Sequence, residues 1–440
     1  MFKSIGEISK KILEIEKQEN LFELSIEDVY VWELIRVKIY TIIVNQVFES
    51  EKTSEKKKKT VLILFKKINS KTKQLFYLFK KYPYFSSNNV DCVIFESSRK
   101  ILLEKEYIDP HTNFLIRELK NNNTKIQTYQ SSYNYDKLQE FNSSKSVELI
   151  YFLGEIYYRF FRFFIKDIEL DKLNKISKIF FETFNVDISF YEMVKKEIFI
   201  FKYHKKKFSK ILKNHNPEKI FLVNSCDKTG LISAAKTANI EVIDIQHGLI
   251  SSNILVYHFP DEVKNKLKYF PDYFYIWDDV WKFNCSIPLS EDKIINYGNK
   301  YLKYRKSSFS KIKKINNTIL IISQPGLTQQ IAQETLLNMD NFSDYKIVYK
   351  LHPSEYAYCN EFEEILKLKS IEKVSFANQH DDLYLLLSTN IYVIGVYSTV
   401  LIEAIEFDCK ILIYELPGME MMIPFINYNK MQIFNKILIK

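Results

Sequence analysis

The sequence predicts an α/β protein in which two Rossmann-like domains face each other across a cleft, preceded by an N-terminal helical extension. Three observations predict this fold class. The chain has 440 residues, too many for a single hydrophobic core. Short apolar runs alternate with helical segments in two separate regions, which is the rhythm of parallel sheets. A polar, basic stretch at 300–317 separates these regions and is interpreted as a linker.

Residues 1–89 are predicted to be helical and basic. From Ser25 onward, "SIEDVYVWELIRVKIYTIIVNQVF" has apolar residues at helical spacing, with Ser25 as the candidate cap. Between Lys52 and Lys81 there are eleven lysines and one acid, 11 − 1 = +10, whereas the whole chain carries +9. A basic segment with interleaved apolar residues suits an anionic membrane surface. A solvated linker is the alternative, and no nucleic-acid-binding motif is seen.

Two regions carry the strand–helix alternation. The N-terminal Rossmann-like domain is predicted at 90–299, with strands in "VDCVIF", "EKIFLVN", "IEVIDIQHG" and "PDYFYIWDD". The C-terminal Rossmann-like domain is predicted at 318–417, with strands in "TILIISQPG", "YKIVYKLHP", "KVSFAN", "IYVIGVYST" and "KILIYEL". Residues 418–440 are predicted to form a helix that packs back on the first domain.

Several protein classes lack their sequence signals in this chain. The five cysteines include no CxxC pair, which indicates a reducing compartment and neither a zinc knuckle nor a redox pair. No signal peptide and no uninterrupted apolar run of about 18 residues is found. We therefore expect a cytoplasmic protein, peripheral on the inner face of the cell membrane. GxGxxG, P-loop and GxSxG motifs are also absent from the sequence.

Two apolar strands end in small polar groups. "KIVYKLHP" ends at His352 and Pro353, and "IYVIGVYST" ends at Ser398 and Thr399, directly before a helix. Hydroxyls and free N–H groups at a helix N-terminus favour an anion, although a plain helix cap is the alternative. His352 can donate to a phosphate oxygen or protonate one as it leaves. Ligands of open α/β sheets bind at such strand ends.

Three further residues are predicted to line the same site, which would bind a phosphate on a nucleotide. Glu403 follows Thr399 by one helical turn and is expected to accept hydrogen bonds from ribose hydroxyls. Ser323 and Gln324 follow the first strand of the C-terminal domain.

"KLHP" followed by "YSTVLIEA" resembles the HP and Ser/Thr motifs of bacterial GT-B glycosyltransferases that use CMP-activated sugars. These include sialyltransferases, polysialyltransferases and Kdo transferases. "IDIQHGLIS", with the later "PDYFYIWDDVWK", resembles more specifically the QHG-containing capsule polysaccharide biosynthesis proteins. The resemblance covers residues 217–415. It implies that His352 contacts the donor phosphate and acts as general acid, that Ser398 and Thr399 hold the same phosphate, and that Glu403 approaches the cytidine ribose.

The resemblance also implies that the N-terminal Rossmann-like domain binds the acceptor and that the C-terminal one binds the nucleotide-sugar donor. The acceptor domain departs from the family pattern at one motif. The sialyltransferase families supply the base from an acidic Asp/Glu-Asp/Glu-Gly motif, whereas this chain has Gln246, His247 and Gly248 at what is interpreted as the equivalent strand end. His247 is one candidate for the base and Asp227 another. Asp244 is a weaker candidate, since it is predicted to lie inside its strand.

The resemblance implies an inverting glycosyltransferase that moves a nonulosonic acid or Kdo from a CMP donor to a capsule, lipopolysaccharide or lipid-linked glycan. No metal is required, because CMP leaves with a single phosphate. A CDP-glycerol- or CDP-ribitol-type phosphotransferase is one alternative, since its leaving group is also a cytidine nucleotide. A non-catalytic, membrane-associated assembly subunit is the other.

Overall fold

The computed structural model describes residues 2, 4–48, 88–130, 145–162, 170–428 and 430–434. The lysine-rich segment 52–81, and the membrane contact predicted for it, lie outside these residues. The chain divides into two compact units: the first comprises Met1–Phe2, Glu7–His247 and Ile254–Gly298, and the second comprises Lys3–Gly6, Gly248–Asn253 and Asn299–Lys440. Each unit contains a parallel sheet, which confirms the predicted class of two Rossmann-like α/β domains.

Two helices come first in the described chain, α1 (Ile5–Gln18) and α2 (Val31–Phe48). A short hairpin of β1 (Ser25–Ile26) and β2 (Val29–Tyr30) connects them. A buried ion pair joins the helices, with Arg36 Nε 2.5 Å from Glu16 Oε1, and Trp32 donates to the same oxygen over 2.9 Å. Arg36 also donates to the carbonyl oxygens of Leu255 and His258. The helical extension is therefore packed into the first unit.

The prediction that Ser25 caps a helix is wrong. Ser25 pairs with Tyr30 in the hairpin, and α2 begins at Val31. Glu27 and Asp28 form the turn, with φ values of 51° and 61°. A two-residue turn with both residues left-handed matches the twist of the flanking strands, so the backbone reverses here before the helix starts.

A seven-stranded, all-parallel sheet forms the centre of the first unit. The strands of this unit are β3 (Cys92–Glu96), β4 (Ile101–Leu103), β5 (Glu106–Ile108), β6 (Ile126–Gln130), β7 (Lys145–Ser146), β8 (Lys219–Val223), β9 (Glu241–Ile245), β10 (Tyr273–Ile276) and β11 (Ile294–Asn296). The sheet order is β11-β10-β9-β8-β3-β6-β7, and β4 and β5 pair separately. The further helices of this unit are α3 (Asn113–Asn121), α4 (Glu148–Phe161), α5 (Leu170–Phe184), α6 (Phe190–His215) and α7 (Thr229–Thr237).

The central strands of this first sheet, β3, β8 and β9, are buried on both faces, as parallel strands usually are. Val93 and Ile220 point into a cluster with Phe208 of α6 and Leu231 of α7. Neighbouring strand residues point the other way, into a second cluster that includes Leu115 of α3. Helices therefore cover both faces, and the sheet is doubly wound.

The second unit contains a six-stranded, all-parallel sheet. Its elements are α8 (Lys300–Ser308), β12 (Ile315–Ile322), α9 (Thr328–Leu337), β13 (Lys346–Lys350), α10 (Glu363–Lys369), β14 (Val374–Phe376), α11 (Leu383–Thr389), β15 (Asn390–Gly395), α12 (Thr399–Glu406), β16 (Lys410–Ile413), α13 (Ile423–Asn427) and β17 (Gln432–Ile433). The sheet order is β14-β13-β12-β15-β16-β17. Numbered from the first strand of this unit, that order is 3-2-1-4-5-6, the Rossmann arrangement.

Two predictions about the second unit need correction. The segment 300–317 is no irregular linker, because α8 occupies its first half and β12 begins at Ile315. Residues 418–440 do not form one helix. Within the described part, α13 ends at Asn427, and β17 adds an outer strand to the sheet beside β16. Phe434 then packs on Phe342 and Tyr414, so the end of the described chain lies against the core of the second unit.

Within the described ranges, no helix combines the length and the apolar character needed to cross a membrane.

Candidate functional site

The residues predicted to bind the donor follow three adjacent strands at the carboxyl edge of the second sheet, around its switch point. β12 and β15 are neighbours in the sheet. The strand that follows β12 in the chain, β13, lies toward one edge, and the strand that follows β15, β16, lies toward the other edge. Ser323 and Gln324 follow β12, His352 closely follows β13, and Ser398 and Thr399 follow β15. In doubly wound sheets, the crevice outside these carboxyl ends is where ligands bind.

A tight turn follows β12. Leu327 N donates to Gln324 O over 3.0 Å, and Gly326 between them has a φ of 89°. The sequence Gln-Pro-Gly-Leu thus forms a turn that needs a glycine at its third position. The Gln324 side-chain oxygen is buried and has no hydrogen-bond partner among the described residues. A buried acceptor of this kind suits a donor group on a ligand.

A buried carboxylate, which the sequence analysis did not single out, organises the His-Pro turn. Glu355 is fully buried. Its Oε1 accepts the hydroxyls of Ser323 over 2.9 Å and Thr328 over 2.5 Å, and its Oε2 accepts the backbone N–H of His352 over 2.6 Å. Glu355 therefore ties the ends of β12 and β13 to the start of α9. Ser323 is buried and its hydroxyl proton is taken by this bond, so the side chain holds the turn in place.

The His352 ring has a defined orientation. Its Nδ1 accepts the backbone N–H of Ser354 over 3.2 Å and lies 2.8 Å from the Ser354 hydroxyl oxygen. Because Nδ1 is the acceptor, the neutral ring carries its proton on Nε2. His352 and Pro353 are both exposed, so this N–H is presented to solvent as a hydrogen-bond donor.

The Ser-Thr pair stands at the start of α12. Ser398 is the N-cap, and its oxygen accepts the backbone N–H of Val400 over 3.2 Å. The capping function of Ser398 is thus present, and its own hydroxyl proton can still donate. Thr399 is the first helical residue, and both side chains are half-buried. Glu403 lies one turn further along and is buried, with 8% of its surface exposed.

Two glycines in loops of the second unit differ in the space around them. Gly418 and Gly326 both have positive φ values, of 95° and 89°. A Cβ on Gly418 would lie 2.3 Å from the Tyr397 ring, whereas a Cβ on Gly326 would meet nothing within 4 Å. We expect Gly326→Ala to cost about 1 kcal/mol of stability, from backbone strain alone, and Gly418→Ala about 2 kcal/mol, because overpacking adds to the strain.

Chemical denaturation followed by far-UV circular dichroism measures the free energy of unfolding of both glycine variants. All three tryptophans, Trp32, Trp277 and Trp281, lie in the first unit, so their fluorescence is the internal control and should be unchanged. Equal losses for the two variants would show that Tyr397 yields to the added methyl group without cost.

In the first unit, Asp227 and Lys228 follow β8. Asp227 ends a 3₁₀ turn over Ser225–Asp227 and is half exposed. Lys228 Nζ lies 2.7 Å from Asp227 Oδ1 and donates to the Asn224 carbonyl oxygen over 2.9 Å. Asp227 is thus an accessible carboxylate held beside a cation, and it stays a candidate base.

The three residues predicted on the acceptor side have different environments. Gln246 is fully buried, and its side-chain oxygen accepts the backbone N–H of Trp277 over 2.8 Å, so it stabilises the end of β10 and is not placed to contact an acceptor. His247 is half-buried. A Cβ on Gly248 would meet nothing within 4 Å, so this backbone borders open space.

His247 lies in a cluster of titratable groups that the sequence analysis did not bring together. Burial lowers the pKa of His247 to about 4, with further lowering from His111 and Lys228. The His111 ring stands edge-on to His247 with centroids 6.4 Å apart, and burial also lowers the pKa of His111. Asp109 is fully buried and accepts the backbone N–H groups of His111 and Ser97. Both imidazoles are therefore neutral near pH 7, the form in which a histidine accepts a proton.

The missed residues had different signals in the sequence. Glu355 follows His352 by three positions, and an acid at that spacing after a strand end is a detectable motif. His111 and Asp109 lie in "IDPHT", more than 130 positions from His247, and no local pattern links them. Among the residues that the structure describes, no group of three or more His, Cys, Asp or Glu side chains is arranged to hold a metal ion.

No protein-family model matches this chain, and no curated protein matches it. Among solved structures, it is similar to UDP-GlcNAc 2-epimerase from Methanocaldococcus jannaschii, in complex with UDP-GlcNAc and UDP (14% identity, 78% of this chain and 89% of that chain, TM-score 0.43). It is also similar to UDP-GlcNAc 2-epimerase from Neisseria meningitidis bound to UDP-GlcNAc (15% identity, 78% and 87%, TM-score 0.45). A third is the glycotransferase of kitacinnamycin (10% identity, 80% and 88%, TM-score 0.45).

Proposed function

We propose that this protein is an enzyme that transfers a sugar from a nucleotide-activated donor, with the nucleotide phosphate at the switch point of the second sheet. The observation that carries the proposal is the preoriented His352 ring beside that switch point. Its Nε2–H is presented as a donor, because Ser354 and Glu355 occupy Nδ1 and the backbone N–H. Such a donor can offset the charge that a departing phosphate develops.

The start of α12 supplies the second part of the phosphate site. The first N–H groups of a helix and the hydroxyls of Ser398 and Thr399 are donors that favour an anion. Glu403 is proposed to accept hydrogen bonds from ribose hydroxyls, and the buried oxygen of Gln324 is an acceptor for a ligand donor group. The resemblance of the motifs to CMP-sugar-dependent enzymes favours a CMP donor carrying a nonulosonic acid or Kdo.

The proposed transfer is an inversion at the anomeric carbon. A base removes the proton of an acceptor hydroxyl, which attacks the anomeric carbon as CMP leaves with its bonding electron pair. His247 and Asp227 are the candidate bases. The acceptor is proposed to be a capsule, lipopolysaccharide or lipid-linked glycan, with residues 52–81 bringing the enzyme to an anionic membrane.

Nucleotide binding tests the donor site directly. We expect Ser398→Gly with Thr399→Val to weaken CMP binding by about 1–3 kcal/mol, the range for hydrogen bonds to a charged group. Glycine at a helix cap costs only a few tenths of a kcal/mol relative to serine, so the helix start should remain folded. Calorimetry with CMP and with cytidine measures the effect, and cytidine binding should change much less.

Nucleotide titrations and donor-turnover assays together separate the transferase from its alternatives. Equal losses for CMP and cytidine would place the hydroxyl pair away from the phosphate. Tighter binding of UDP than of CMP would replace cytidine by uridine in the proposal. Release of CMP from CMP-linked donors, but not from CDP-glycerol, would exclude the phosphotransferase. Absence of binding to any pyrimidine nucleotide would favour the non-catalytic assembly subunit.

A further inference from the structure

A line of three polar side chains runs from the core of the first unit to His247. Asp244, the penultimate residue of β9, is fully buried. Its Oδ2 accepts the hydroxyl of Tyr257 over 3.1 Å and the backbone N–H of Ser225 over 3.2 Å. The Tyr257 hydroxyl oxygen in turn lies 3.4 Å from Nδ1 of His247. The position inside a strand, which made Asp244 a weaker candidate base, is what places it at the inner end of this line.

The protons on this line determine which nitrogen of His247 is free. Tyr257 has one hydroxyl proton, and an ionised Asp244 can accept it but has none to give. The Tyr257 oxygen is then left as an acceptor, so its neighbour Nδ1 must be the protonated nitrogen of His247. Nε2 keeps its lone pair, and no hydrogen bond from the described residues engages it.

We propose that Asp244 and Tyr257 are positioning residues that hold His247 in the Nδ1–H tautomer, so that Nε2 is the base that deprotonates the acceptor hydroxyl. This inference rests on the proposed function for the identity of the acceptor. In the step, Nε2 takes the hydroxyl proton, and the oxygen bonds to the anomeric carbon. The bond between that carbon and the donor phosphate oxygen breaks, and its electron pair leaves with the nucleotide.

The packing of Tyr257 makes its hydroxyl a fixed point. Only 3% of its surface is exposed, and its ring stacks on Phe274 of β10 with centroids 4.6 Å apart and planes at 22°. Asp244 is equally fixed, since β9 is paired on both sides, opposite Leu222 of β8 and Phe274 of β10. The core therefore resists rotation of either side chain. Through its contact with the Tyr257 hydroxyl, the imidazole of His247 is held in one orientation.

The charges around the line agree with this proton arrangement near pH 7.5. Burial raises the pKa of Asp244 to about 6, which leaves it ionised at that pH, and burial raises the pKa of Tyr257 well above 10. Burial lowers the pKa of His247 to about 4, which leaves it neutral. The other titratable groups that act on the three residues are His111, Lys228, Asp227, Asp109 and Cys226, and hydrogen bonds from Ser225 lower the pKa of Asp244.

Nitrogen-15 NMR of the full chain, labelled at its seven histidines, tests the proposal without any substrate. The shifts of the two ring nitrogens distinguish the protonated one from the one with a lone pair, and loss of a signal in His247→Gln assigns His247. We expect the Nδ1–H tautomer at pH 7.5 in the wild type. Tyr257→Phe should lose this preference and populate Nε2–H.

Tyr129→Phe is the matched control. Tyr129 is another buried tyrosine of the same unit, and its hydroxyl lies 2.6 Å from Nε2 of His215. This variant should alter the signals of His215 and leave those of His247 unchanged. If Tyr129→Phe alters the signals of His247 as well as those of His215, the sheet is generally disturbed, and this would count against a specific role for Tyr257.

A wild-type spectrum with His247 as Nε2–H would overturn the proposal, whether or not any variant folds. So would an Nδ1–H tautomer that persists in Tyr257→Phe. Because the tautomer is measured without donor or acceptor, a failure here is distinct from a failure of the transferase assignment. Once a donor is identified, Tyr257→Phe should lower kcat by about 10²-fold with little change in KM, as loss of an oriented base does.

Discussion

His352→Ala is expected to reduce turnover by about 10²-fold or more, measured as release of CMP from a CMP-linked donor. The ring is exposed and its hydrogen bonds within the described residues are with Ser354, so its removal should leave the fold intact while removing the N–H group proposed to face the phosphate. Loss of one preoriented charge-stabilising group has this magnitude, about 2.7 kcal/mol in the activation free energy.

The matched control is His380→Ala. His380 is also an exposed histidine of the second unit and is assigned no part in the site. Its variant should turn over at the wild-type rate. His352→Gln adds a finer test, since its amide can donate a hydrogen bond but cannot transfer a proton. Recovery of activity in that variant would assign charge stabilisation to His352, and wild-type turnover in His352→Ala would remove it from the mechanism.

Glu355→Gln is expected to destabilise the second unit by about 3 kcal/mol and to abolish the orientation of the His-Pro turn. The carboxylate accepts three hydrogen bonds in a buried position, from Ser323, Thr328 and His352. An amide of the same size places an N–H group against one of these donors, and each buried donor left unpaired costs about 1–3 kcal/mol. The rate of CMP release from the donor should fall together with the stability, because the backbone N–H of His352 loses its acceptor.

Glu361→Gln provides the comparison for Glu355→Gln, because Glu361 is exposed and only six positions away. It should change stability by less than about 0.5 kcal/mol, as surface substitutions usually do. Far-UV circular dichroism reports unfolding of both units, whereas tryptophan fluorescence reports the first alone. A loss seen equally by both probes, or no loss at all, would contradict the role assigned to the Glu355 carboxylate.

Local patterns in the sequence were sufficient to predict much of the second unit. Its central strands are apolar and largely buried, so runs such as "KIVYK" and "IYVIG" stand out from the helices between them. The polar residues at their ends follow directly in the chain, and parallel strands bring those ends to one edge of the sheet. The position of His352, Ser398 and Thr399 at one edge of the sheet could therefore be predicted from the sequence alone.

The errors lie where a local pattern had two physical outcomes. Apolar residues at helical spacing continue through Ser25–Tyr30, yet Glu27 and Asp28 adopt left-handed conformations and the chain forms a hairpin. The stretch at 300–317 is polar enough for a linker, but α8 forms there with Asn299 as its cap, whose side chain accepts the backbone N–H of Leu302. Composition alone does not distinguish a surface helix from a connection.

What the sequence by itself determined is which side chains stand at the strand ends. Only the tertiary structure decided which of them are available to a ligand. Ser323 donates to a carboxylate 32 positions away, and Gln246 accepts from a backbone N–H 31 positions away, so both are occupied. Asp244 and Tyr257, 13 positions apart, meet because a loop returns the tyrosine to the end of β9. The reason is that a buried polar group must find a partner, and the folded chain supplies partners that no local spacing specifies.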